Sequence, residues 1–139
     1  MALSANRNLV EQDGKIHAFK VAAAKIYKNA LVKINAAGFL APCSIEAGST
    51  FAGIAYEAMD NSAGAAGDKV CRVEMGGVWL LTSSGLAQTN VGDKVFDADD
   101  DTFTLTEGTD KKQIVGNIVE YVSATQAWVC ITPFLCTGA

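Results

Sequence analysis

The chain has 139 residues, 50% of them apolar and 19% charged, enough for one domain with its own core and below the roughly 25% charge of an average soluble domain. Its net charge of −4 argues against a protein held on nucleic acid by phosphate contacts. No apolar run reaches the roughly 18 residues of a transmembrane helix, and MALSANRNLVEQDGK at residues 1–15 lacks the apolar stretch of a secretory signal.

Taken in chain order, residues 1–25 carry no strand pattern and read as an N-terminal arm, and residues 26–139 read as a β-rich domain. Arg7, Leu9, Val10, Lys15 and Lys20 are the arm's candidate contacts to a neighbouring molecule. Residues 1–35 hold six basic side chains against two acidic ones, and residues 36–139 hold five against thirteen. A basic arm on an acidic body can dock an acidic neighbour such as another subunit or a protein lattice. Residues 17–34, HAFKVAAAKIYKNALVKI, are ambiguous: the alanines and lysines favour a helix, but no N-cap precedes them and Gly14 is poor inside one. Arm followed by a strand near Ile26 is the preferred reading.

From residue 30 on, short apolar segments alternate with turn residues, the pattern of an all-β fold. ALVKINAAGFLAP is two strands around a turn at Gly38, and TFAGIAYEAM is a strand with Gly53 marking a bulge or a close backbone approach. DNSAGAAGD at 60–68 is a loop. KVCRVEMGGVWLLT reads as a hairpin, with Gly76 and Gly77 as its two-residue turn. After a second loop, the Gly92 turn leads into KVFD. DTFTLT places Phe103 and Leu105 inward, between outward threonines. QIVGNIVEYV, with Gly116 near its start, and AWVCITPF are the last two strands. GDKVCRV at 67–73 and GDKVFDA at 92–98 echo each other, as turn chemistry alone can produce. About eight short strands in this length make a small antiparallel barrel or sandwich.

DADDDT at 97–102 invites a test as a calcium loop. Asp97, Asp99 and Asp101 match loop positions 1, 3 and 5, but Thr102 stands where the turn glycine belongs and Gly108 where the bidentate glutamate belongs. The stretch reads instead as the acidic tip of a hairpin, where charge blunts a sheet end. His17 is the only histidine, so nucleophilic catalysis would depend on it alone. Cys43, Cys71, Cys130 and Cys136 have no metal-ligand spacing and read as buried thiols. Trp79 and Trp128 sit in apolar strands with no basic cluster beside them and are expected in the core. No catalytic, cofactor or metal site emerges, and the expected partners include neither nucleic acid nor membrane.

The ordered succession ALVKINAAGFLAP, FAGIA, GGVWLL, VGDKVF, VGNIVE and a final WVCITP resembles the head decoration, or capsid cement, proteins of tailed bacteriophages over residues 26–135. Each motif alone is only a strand with a turn glycine; their order carries the resemblance. It implies a β-rich subunit on the outside of the expanded head, made in the host cytoplasm. Such subunits commonly sit as homotrimers at three-fold or quasi-three-fold positions and hold the major capsid protein lattice against DNA pressure. An N-terminal arm often reaches the shell, and the resemblance implies no catalytic residue or cofactor. The alternatives are a small β-barrel module binding a peptide, sugar or other ligand, and another virion component such as a tail part.

Overall fold

The computed structural model describes residues 15–44, 48–106 and 113–135. Among them run twelve strands: β1 (Ile16–Lys20), β2 (Lys25–Ile26), β3 (Leu31–Ile34), β4 (Leu40–Pro42), β5 (Thr50–Ala55), β6 (Met59–Asp60), β7 (Val70–Glu74), β8 (Val78–Thr82), β9 (Lys94–Asp97), β10 (Phe103–Thr104), β11 (Ile114–Ser123) and β12 (Gln126–Ile131). Helical structure among the described residues is limited to two 3-10 turns, Gln88–Asn90 and Pro133–Leu135. The fold is all-β, as its turn spacing predicts. Strands outnumber the expected eight because several are only two residues long.

Two five-stranded antiparallel sheets carry the fold, ordered β1-β7-β5-β3-β4 and β10-β9-β11-β12-β8, with β2 and β6 forming a small separate pair. Both curl until their ends approach. In the first, Val21 forms a parallel bridge to Leu40, and Ala22 N–H donates to the Leu40 carbonyl at 2.8 Å. In the second, Thr82 bridges Thr102, and Ser83 Oγ donates to the Phe103 carbonyl at 2.6 Å.

Curling produces two cores. One lies inside the first sheet and gathers Val21, Ile26, Val32, Leu40, Ala52, Cys71 and Val73. The other lies between the sheets, where Leu31, Phe51 and Ile54 meet Val95, Phe103, Val115, Ile118, Val129 and Ile131. Strands β3 and β5 therefore serve both: Leu31 faces one core and Val32 the other, and Phe51, Ala52 and Ile54 alternate likewise. A strand buried on both faces has no polar side, which explains why FAGIA is unbroken apolar sequence.

Residues 17–34 form strands joined by turns, not a helix, but the arm does not extend to residue 25. All five residues of β1 pair with β7, from Ile16 opposite Glu74 to Lys20 opposite Val70, and Val21 is fully buried. Part of the segment expected as arm thus belongs to the body. Residues 1–14, including Arg7, Leu9 and Val10, lie outside the described residues.

Gly76 and Gly77 do not close a hairpin. β7 belongs to the first sheet and β8 to the second, so the glycine pair carries the chain between sheets. Only Gly77 has a left-handed φ, +102°. Its carbonyl accepts from Ile131 N–H at 3.1 Å, while the Gly76 carbonyl accepts from the Trp79 indole at 2.9 Å. The GDK echo is indeed local chemistry: Gly67 and Gly92 turn at φ +89° and +95° just before β7 and β9.

Candidate functional surface

The aspartate stretch is a hairpin tip. β9 and β10 pair with Phe103 opposite Asp97, and the loop between them is organised by Asp99. Its Oδ1 accepts from Asp101 N–H (2.8 Å), Thr102 N–H (2.7 Å) and the Thr102 hydroxyl (3.0 Å). Burial pushes the Asp99 carboxyl up, and these hydrogen bonds outweigh it and hold the group below the usual carboxylate range. Among the described residues no group of three or more His, Cys, Asp or Glu side chains could hold a metal ion. Asp97 differs from the tip that the sequence suggests: it is fully buried, and its Oδ1 accepts from Gln113 N–H at 2.7 Å. Replacing Asp99 by alanine should cost about 1 kcal/mol, as for a lost turn or cap acceptor. Melting curves of that variant and the wild type should each superimpose in calcium and in chelator; a calcium-dependent rise would contradict the hairpin-tip reading.

A second polar group lies between β3 and the segment after β4. Lys33 is buried, and its Nζ donates to the Ser44 carbonyl (3.1 Å) and hydroxyl (2.8 Å) beside a pocket of about 400 Å³. Neighbouring Cys43 is buried, and desolvation, with the Asp97 charge adding to it, pushes its thiol well up. Burial likewise raises Cys71 to about 11. Both stay protonated at neutral pH, and a thiol so held is a poor nucleophile. Cys43, Cys71 and Cys130 are free thiols; Cys136 lies outside the described residues.

The first sheet's outer face at β1 and β7 mixes charged with apolar residues, exposing Lys20 and Arg72 beside Ile16 and Val70. Arg72 holds Glu57 with Nε at 3.2 Å and Nη2 at 3.1 Å, and its guanidinium lies over the Tyr56 ring. Hydrogen bonds from Arg72 keep the Glu57 carboxyl below its usual range. Lys15 and Lys20, expected as arm contacts, are exposed just before β1 and at its end, beside this face. His17 is half-buried on β1, edge-on to Phe19 with centroids 4.7 Å apart.

The second sheet's outer face is different. Trp79 and Leu81 turn toward the core between the sheets, so Val78, Leu80 and Thr82 point out. Ala127, Val129 and Ile131 do the same on β12, which leaves Gln126, Trp128 and Cys130 outside. Pairing puts Leu80 opposite Trp128 and Val78 opposite Cys130. Glu120 of β11 lies on the other side of Trp128, next to a register shift that leaves Val119 outside as well. No family model, curated protein or solved structure matches this chain.

Trp128 therefore corrects the expectation of a core residue: it is 36% exposed. The signal was present in the sequence. VWLLT and QAWVCI contain no charged residue, so whichever residues point inward, apolar ones remain outside. The glycines named from sequence fall into two kinds. Gly38, Gly76, Gly77 and Gly92 lie in turns or crossovers, whereas Gly53 and Gly116 sit inside strands where a neighbouring backbone comes close.

Proposed function

We propose that the protein is a structural virion component, a head decoration protein. It binds the outer surface of an expanded phage capsid, as trimers at three-fold or quasi-three-fold positions, and stabilises the shell against internal DNA pressure. The observation that carries this reading is the uncharged, apolar outer face of β8 and β12, a surface suited to contact between the subunits of an assembly. Each segment of the resemblance falls on a strand or strand pair: β3 with β4, β5, β8, β9, β11 and β12. In this reading the protein works by binding alone. Each contact is modest, and many copies clamping neighbouring capsomers sum to a large stabilisation.

The test is co-sedimentation of the purified chain with expanded, undecorated heads and with unexpanded proheads. Saturable binding to expanded heads alone, at a copy number equal to the three-fold positions, is the expected result. A folded protein that binds neither shell would overturn the reading and favour a free β-barrel binding module.

A further inference from the structure

We infer that the outer face of the second sheet, centred on Leu80 and Trp128, is where copies of this chain meet. The inference rests on the homo-oligomer part of the proposed function and is independent of its shell part.

Three observations lead to it. Val78, Leu80, Val119, Val122 and Trp128 are 50, 42, 47, 45 and 36% exposed. Together they present roughly 400 Å² of largely apolar surface, within the range of the largest patch on an ordinary monomer, which is often functional. A stable interface needs about 800 Å² from each partner, with an apolar centre and a polar rim. Thr82, Asn117, Ser123 and Gln126 border the patch and supply uncharged hydrogen-bonding groups for such a rim.

The second observation is the unguarded edge. β8 is the last strand of its sheet, and it carries no lysine, proline or glutamate to deter pairing. Among the described residues it is bridged only at its far end, from Thr82 to Thr102. Long-lived soluble proteins blunt such edges or cover them.

The third is charge, which selects the occupant. The rows that cross this face end in one cation and one anion: Lys94 beside Asn117, and Glu120 beside Trp128. Neither is in an ion pair among the described residues. With an apolar centre and a charge of each sign on different strands, Lys94 of one copy can meet Glu120 of the next in the head-to-tail contact that a closed trimer needs, whereas a strongly charged partner would find nothing to match over β8 and β12. Trp128, between Leu80 and Glu120, has the composition and central position of an interface anchor.

Sedimentation of the full chain across the micromolar range, without shells, tests the inference. The wild type should sediment as an oligomer. Leu80→Lys, and independently Val119→Lys, should weaken association at least about 30-fold, the loss expected for a central anchor, with an unchanged far-ultraviolet spectrum. Val70→Lys, at a residue 52% exposed on the first sheet, should associate as the wild type does. A wild type that stays monomeric overturns the inference, as does full association of both lysine variants or an equal loss in Val70→Lys. If the wild type is monomeric and Leu80→Lys abolishes binding to expanded heads, the face belongs to the shell lattice instead. Because association is read without shells, failure of shell binding alone leaves the inference standing.

Discussion

Gly116→Ala is expected to lower the melting temperature by about 10 °C, the equivalent of about 3 kcal/mol for a domain of this size. Gly116 is buried in β11, opposite Val95 of β9 on one side and Ile131 of β12 on the other. A Cβ there would run into the Cys130 carbonyl oxygen and stand 2.9 Å from the Ile131 Cα. Both obstacles are backbone, so no rotamer change relieves them, and the added methyl must push β12 away from β11. That pairing closes the core between the sheets through Ile118, Val129 and Ile131. Gly116 has no left-handed φ, so the cost is steric. Gly76→Ala is the control: nothing lies within 4 Å of its would-be Cβ, and its φ is ordinary. Thermal denaturation should give the control within about 0.5 kcal/mol of wild type, as for an unconstrained surface change. Equal melting temperatures for the two variants would refute the close-approach account.

Asn61→Asp should be more damaging still at neutral pH, and its deficit should depend on pH. Asn61 is 1% exposed. Its Nδ2 donates toward three carbonyls, Val21 (3.2 Å), Ala22 (3.1 Å) and Ala65 (2.9 Å), which pins the 61–68 loop onto the end of β1. Removing the amide in Asn61→Ala should cost about 1–3 kcal/mol. An aspartate would aim a carboxylate at three carbonyl oxygens in a buried site. Burial and that repulsion raise its folded pKa above the roughly 3.9 of the unfolded chain. A raised folded pKa means the folded state holds the proton more tightly, so stability falls as pH rises above about 4. Measured against wild type at each pH, the deficit of the aspartate variant should resemble that of the alanine variant near pH 3. It should grow to about 3–5 kcal/mol at pH 7, the cost of an uncompensated buried charge. A deficit that does not change between the two pH values would show that the site is open to water.

The strands and turns were legible to the extent that their signals are local. The turn at 35–39 is written in Asn35, whose Oδ1 accepts from Ala37 and Phe39 N–H, and in Gly38 at φ +89°. The alternation of Phe103 with threonines put that side chain in the core, where it lies. The aspartates at 99–101 made a hairpin tip because Asp99 captures amides two and three residues ahead. Asp97 was less legible, since its burial depends on Gln113, sixteen residues away. The candidate surface was half legible: the lack of charge in VWLLT and QAWVCI marked both strands as unusual, but not which residues would be left outside.

The all-β class, the position of most strands and the chemistry of the turns could all be read from the chain, because these follow from hydrogen bonds and backbone preferences spanning a few residues. Four features could not: that Gly76 and Gly77 join two sheets, that β1 belongs to the body, that β3 and β5 serve two cores, and that Trp128 points out. Alternation says that a strand has two faces and is silent on what covers each. That is set by pairing between residues far apart in the chain, such as Val21 with Leu40 and Thr82 with Thr102, where curling sheets bring their ends together and choose which apolar face is enclosed.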